Sequence, residues 1–264
     1  MIGIFDSGYG GLTVLKPVIQ TLPQYDYLYL GDNARAPYGI QNQENIEKFS
    51  EEAVNFLWNR GAELIIFACN TASALALRHI QQKYPDKKVL GVLIPVAEEA
   101  VKFKKVGVVG TQATIKSNAY EEQIREISKE TKVYSKACPL LVPFIEEDWH
   151  HRPEAISILK KYLRSIKSHN VESLILGCTH YPLMQKDFER IMGKKVKILN
   201  CGQIVAKKLV DYLKRHPEIE KEIPKNSKRQ FLTTGDPKAF KEFIEKHFGM
   251  KISMPKQVSL TPTQ

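Results

Sequence analysis

No apolar run in this chain approaches the roughly 20 residues needed to cross a bilayer. No basic leader with a cleavage site precedes the first apolar segment, Met1-Ile-Gly-Ile-Phe5, so a cytoplasmic protein is expected, without a membrane partner. Cysteine is scarce. Cys69, Cys138, Cys178 and Cys201 are dispersed and never spaced Cys-x-x-Cys, which argues against a disulfide framework and leaves thiols in a reducing compartment. The glycine-rich turn Asp6-Ser7-Gly8-Tyr9-Gly10-Gly11 lacks a third dinucleotide-binding glycine, because Thr13 stands in its place, and it lacks the P-loop lysine. No segment is of low complexity. The net charge of +10 is not matched by a basic block. Acids interleave with the lysines, and Phe240, Phe243, Ile244 and Phe248 share one helical face, so the charges near them form its solvated side. A basic enzyme is a plainer reading than a nucleic-acid binder.

What is present is alternation. Apolar runs at 2–5, 27–30, 64–68, 89–93, 106–109, 174–176, 196–199 and 231–233 read as strands. Amphipathic stretches at 43–60, 72–83, 115–130, 152–169 and 204–214 read as helices between them. The expected fold is α/β, built from βαβ units with mainly parallel sheets flanked by helices. Two domains are expected: residues 1–94 plus 205–264 as a discontinuous first domain, and 95–204 as the second. Pro95 is placed at the crossover, and the residues from Lys251 onward are expected to be a mobile or edge-packed tail.

Two segments nearly repeat each other. Glu63-Leu-Ile-Ile-Phe-Ala-Cys69-Asn70-Thr71 and Glu172-Ser-Leu-Ile-Leu-Gly-Cys178-Thr179-His180 each run from an apolar strand into a thiol and two polar residues. Ligands of open α/β sheets bind at the carboxyl ends of strands. Two thiols facing one pocket from opposite sides suit a proton transfer that inverts a stereocentre. Cys178 and His180 supply only two local ligands, too few for zinc, so no metal is expected. A Cys–His–Asp acyl-transfer triad leaves the second thiol without a task. A thiol redox module remains open.

Other loops at strand ends carry polar groups. Asp6 is placed as a proton acceptor beside Ser7. Gly31-Asp32-Asn33-Ala34-Arg35-Ala36-Pro37-Tyr38-Gly39 either presents Tyr38 and backbone amides to a small ligand or packs Tyr38 over the sheet edge. Thr111, in Gly110-Thr111-Gln-Ala-Thr114, either holds a carboxylate or caps a helix. Of Glu146, Glu147 and Asp148 beside Trp149, one faces the pocket or all form an exposed acidic turn.

Together these motifs, with Val142-Pro143…Glu146 and Gly177-Cys178-Thr179-His180, resemble the bacterial glutamate racemases, in order through about residues 1–200 and more loosely to Thr234-Gly235-Asp236. The resemblance implies two α/β domains related by a pseudo-twofold axis with the active site in the cleft between them. It implies interconversion of L- and D-glutamate for peptidoglycan synthesis, with no cofactor, by a homodimer. It places the catalytic pair at Cys69 and Cys178, assisting groups at Asp6 and His180, and a further carboxylate at Glu146. Substrate contacts fall on Asp6, Ser7, Pro37, Tyr38, Gly39, Asn70, Thr71, Thr111, Thr179 and His180. An aspartate racemase on the same scaffold, or a basic non-catalytic binding protein with nucleic-acid or gyrase contact, stand as alternatives. One departure is Asn200-Cys201-Gly202, where many members carry Asp-Ser, and it bears on that rim of the pocket.

Overall fold

The run Leu64-Ile-Ile-Phe67 buries every side chain, as a strand covered on both faces must. The same holds for Ile2–Asp6, Tyr27–Gly31 and Ser173–Gly177. The computed structural model describes residues 1–260. The chain begins β1 (Ile2–Asp6), α1 (Leu12–Thr21), β2 (Tyr27–Gly31), α2 (Gln43–Asn59), β3 (Leu64–Phe67), α3 (Asn70–Leu75), α4 (Leu77–Lys83) and β4 (Lys88–Gly91). It continues with α5 (Leu93–Ala100), β5 (Lys105–Gly110), α6 (Gln112–Lys116), α7 (Ala119–Ile127), β6 (Lys132–Ala137), α8 (Leu141–Glu146), α9 (Pro153–Lys167) and β7 (Ser173–Gly177). Then follow α10 (Gln185–Met192), β8 (Lys197–Leu199), α11 (Cys201–Arg215), α12 (Pro217–Glu222), β9 (Arg229–Thr233), α13 (Pro237–Phe248) and β10 (Lys256–Gln257).

Among the described residues the strands form two sheets. One has the order β10-β9-β2-β1-β3-β4 and the other β6-β5-β7-β8. Every pairing is parallel. β1 and β3 lie side by side within the larger sheet and β5 and β7 within the smaller, so Asp6, Cys69 and Cys178 all emerge at carboxyl ends of interior strands. No helix of the described residues is long and apolar enough to cross a membrane.

The two halves share a core. One buried cluster joins Ile2, Ile4 and Val18 to Val106, Val108 and Leu174. A second, with Phe5, Leu28, Phe67 and Ile80, includes Val54 and Leu57 of α2. α11 crosses α1 very closely at Gly202, where a Cβ would stand 2.1 Å from the Thr13 carbonyl oxygen. The Asn200-Cys201-Gly202 turn therefore serves helix packing. Asn200 caps α11 by accepting from the Gln203 N–H, and Cys201 is buried. None of the three is among the residues lining the cavity that holds the thiols.

Several local expectations change. The 115–130 stretch breaks at Asn118, which takes a left-handed φ of 55° between α6 and α7; asparagine tolerates that conformation. The 72–83 stretch begins earlier and divides into α3 and α4. The end of the 89–93 run enters α5, with Pro95 inside its first turn, where a missing N–H costs nothing. The chain from Lys251 packs at the edge through β10 on β9, and residues 261–264 lie outside the described part.

Candidate active site

Cys69 ends the β3 connection and caps α3, its Sγ accepting from the Ala72 N–H at 3.4 Å. Its thiol also points to Ser7 Oγ at 3.5 Å. Burial, reinforced by the Asp6 carboxylate, pushes the Cys69 thiol up to about 12 despite those hydrogen bonds. Asp6 is fully buried at the end of β1. Its Oδ2 accepts from the Gly8 N–H at 3.0 Å and its Oδ1 from Thr179 Oγ1 at 3.3 Å. Burial nevertheless raises the Asp6 pKa, outweighing His180 and these donors.

Cys178 stands across the cavity at the end of β7, with Sγ 3.9 Å from His180 Nδ1. The other ring nitrogen, Nε2, lies 2.9 Å from Glu146 Oε1. Nε2 lacks an aligned hydrogen bond, so that contact is an ion pair. Burial alone would lower the His180 pKa, but Cys178 and Glu146 overcome it and push it up to about 10. The imidazole is therefore charged near neutral pH. Phe243 of α13 covers it edge-on at 6.5 Å.

The intervening cavity, of only about 20 Å³, is lined by both thiols together with Ser7, Pro37, Tyr38, Gly39, Asn70, Thr71, Thr111, Glu146, Thr179 and His180. Asp6 sits directly behind it. Larger hollows open elsewhere, such as that between α10 and α11, but none is lined by a thiol. Of the acidic trio, Glu146 alone lines the cavity, while Glu147 and Trp149 are exposed.

The lining is held from both halves. Thr71 Oγ1 meets Thr111 Oγ1 and Thr114 Oγ1 at 3.0 Å each, and the latter two meet at 2.9 Å. Thr111 thus caps α6 and faces the cavity at once. Tyr38 lines the cavity, but its hydroxyl donates to Asp32 Oδ2 at 2.5 Å and its ring packs on Phe5 and Phe49. The packing reading of that loop therefore holds, and Pro37, Tyr38 and Gly39 also border the cavity.

Three supporting residues were not singled out for the site from sequence. Tyr120 of α7 donates to Asn70 Oδ1 at 2.6 Å, leaving the buried Asn70 Nδ2 without a partner. Thr13 donates to the Thr179 carbonyl at 2.9 Å. Gly10 lies so close that a Cβ there would stand 2.4 Å from Thr179 Oγ1 and 2.7 Å from His180 Nδ1. Only Thr13, a polar residue within the apolar stretch Leu12–Leu15, could have been signalled; Tyr120 stands among Asn118, Glu121 and Glu122 and gives no such sign.

Residues 11–209 match the family model described as Asp/Glu/Hydantoin racemase. A glutamate racemase of Aquifex aeolicus is 45% identical over 81% of this chain and 83% of its own. The crystal structure of a glutamate racemase isoform from Bacillus anthracis superposes with a TM-score of 0.92 at 35% identity, covering 100% of this chain and 98% of that one. A Francisella tularensis glutamate racemase solved in complex with D-glutamate gives 0.90 at 35% identity, covering 98% and 97%.

Proposed function

The chain belongs to the Asp/Glu/hydantoin racemase family, and on that premise we propose that it interconverts L- and D-glutamate by two-cysteine proton transfer. The observation that carries this reading is the pair of thiols, Cys69 and Cys178, lining one small cavity from two different sheets.

In one direction Cys178, as thiolate, takes the α-proton from one face of the substrate while Cys69 delivers its own proton to the other. A C–H bond breaks as an S–H bond forms on one side, and the reverse occurs opposite. The other enantiomer exchanges the roles. The surroundings of the two thiols favour this assignment. The His180 imidazolium stands beside Cys178, whereas burial keeps Cys69 protonated. Asp6 assists Cys69 and Glu146 holds His180. Charge developing at the α-carbon and carboxylate meets the unpartnered Asn70 amide, the threonine hydroxyls and backbone N–H groups at the start of α3, in a cavity with little room for water. No electron-sink cofactor has a step to perform in this scheme.

The two halves are assigned as residues 1–94 with 205–264, and 95–204. The product D-glutamate serves peptidoglycan synthesis, and the resemblance extends to a cytoplasmic homodimer. L-glutamate, D-glutamate and L-aspartate in D₂O, with chelator and no pyridoxal phosphate, provide the test by circular dichroism and proton NMR. Loss of optical activity with α-deuteration of glutamate alone is expected. Activity on aspartate alone would replace the substrate, and no exchange at all would overturn the reading.

A further inference from the structure

Among the described residues, Asp148, His150 and His247 form a cluster of ligating side chains outside the cavity. Their ligand atoms all lie within 4.8 Å of one another. Asp148 occupies the turn after α8 with a left-handed φ of 57°. Its Oδ2 is engaged by Lys246 Nζ at 2.6 Å. Its Oδ1 lies 3.9 Å from His150 Nδ1 and 3.9 Å from His247 Nε2. His150 is only 2% exposed, and its Nδ1 has no hydrogen-bond partner. A buried ring nitrogen left in this way is costly unless something binds it.

We propose that Asp148, His150 and His247 form a binding site for a borderline divalent transition ion, with Zn²⁺ as the reference, between the turn after α8 and the last turn of α13. Two imidazoles and one carboxylate match the donor preference of Zn²⁺, Co²⁺ or Ni²⁺, whereas Mg²⁺ and Ca²⁺ prefer oxygen alone. Bonds of about 2.0–2.2 Å to each ligand need only a small inward movement from the present spacing, and water completes a tetrahedron. Lys246 occupies one carboxylate oxygen and leaves the other facing the rings.

The location gives the site a consequence. Asp148 is two residues beyond Glu146, the partner of His180. His247 packs on Phe243 at 4.4 Å, and Phe243 covers His180. An ion here would join the two elements that hold His180 without touching the substrate.

Metal-stripped protein titrated with Co²⁺, followed by visible ligand-field absorption, tests the site in the wild type and in His247→Gln, Asp148→Asn and Cys69→Ala. One equivalent should bind with tetrahedral bands and no sulfur-to-cobalt charge transfer. Outer partners of a metal typically contribute about 10–100-fold to affinity, so loss of a direct ligand should weaken binding by more than about tenfold. Both ligand variants should show that loss, and Cys69→Ala should not. Zn²⁺ should raise the thermal midpoint of the wild type but not of His247→Gln. Asp148→Asn, at a half-exposed position and of equal volume, serves if the histidine variant fails to fold. No stoichiometric binding, binding undiminished in both ligand variants, or binding lost in Cys69→Ala would each overturn the proposal.

Discussion

The Tyr120 hydroxyl donates to Asn70 Oδ1 at 2.6 Å, so a side chain of the four-stranded half sets the amide that follows Cys69 in the six-stranded half. This bond fixes the orientation of Asn70 and leaves its buried Nδ2 without a partner beside the cavity. Tyr120→Phe removes the bond and keeps the ring. A net hydrogen bond contributes about 0.5–1.5 kcal/mol, so KM should rise about 2–12-fold, with a smaller change in kcat. Steady-state racemisation followed by circular dichroism measures the split.

The thiols should differ in reactivity. Cys178 stands beside a charged imidazole, whereas the Cys69 thiol is pushed up to about 12. Thiolates, not thiols, are alkylated. Iodoacetamide at neutral pH, with peptide mass spectrometry over time, should label Cys178 before Cys69. Equal rates would remove the basis for assigning Cys178 as the base in that direction.

Stability should carry the mark of His180. Its folded pKa, near 10, lies above the ordinary 6.5, so the folded state holds a proton that the unfolded chain loses between those values. The resulting stabilisation is full below about pH 6.5 and is lost as pH rises towards about 10. Glu146→Gln weakens the cause of the shift. The variant should be less stable at pH 6 by about 1 kcal/mol or less, since Glu146 is partly exposed, and the difference should close towards pH 10. Urea midpoints across that range test it.

Gly10→Ala places a methyl group against Thr179 and His180. Displacement of a catalytic group by about 1 Å can cost about 100-fold in rate. A loss of that size in kcat is expected, with the fold retained by circular dichroism.

Gly202→Ala acts elsewhere, by forcing α11 away from Thr13. Overpacking of this kind costs about 1–3 kcal/mol and should lower the thermal midpoint. Because Thr13 also holds the Thr179 carbonyl, kcat should fall with it.

The parts legible in the sequence were those whose signal is local. Strands such as Leu64–Phe67 are apolar throughout, and the residue after each thiol-bearing strand end is readable from the repeat. The edge strand Lys132–Ala137 was missed because it carries Lys132, Ser135 and Lys136 and is only half-buried. The helix Leu141–Glu146 contains Pro143, which reads as a break when its place in the first turn is unknown. Tyr120, Thr13, Gly10 and the Asp148–His150–His247 cluster act through partners distant in sequence, and no periodicity reports such pairings.

The three hydroxyls of Thr71, Thr111 and Thr114 form a closed ring in which each oxygen can both give and accept. Such a ring has two senses of rotation that satisfy the same heavy atoms equally well. Thr71 and Thr111 open onto the cavity, but each has a single O–H, so the ring must open before either can donate to a ligand. Binding at this wall therefore exchanges an internal hydrogen bond for an external one, and the ring closes again when the ligand leaves.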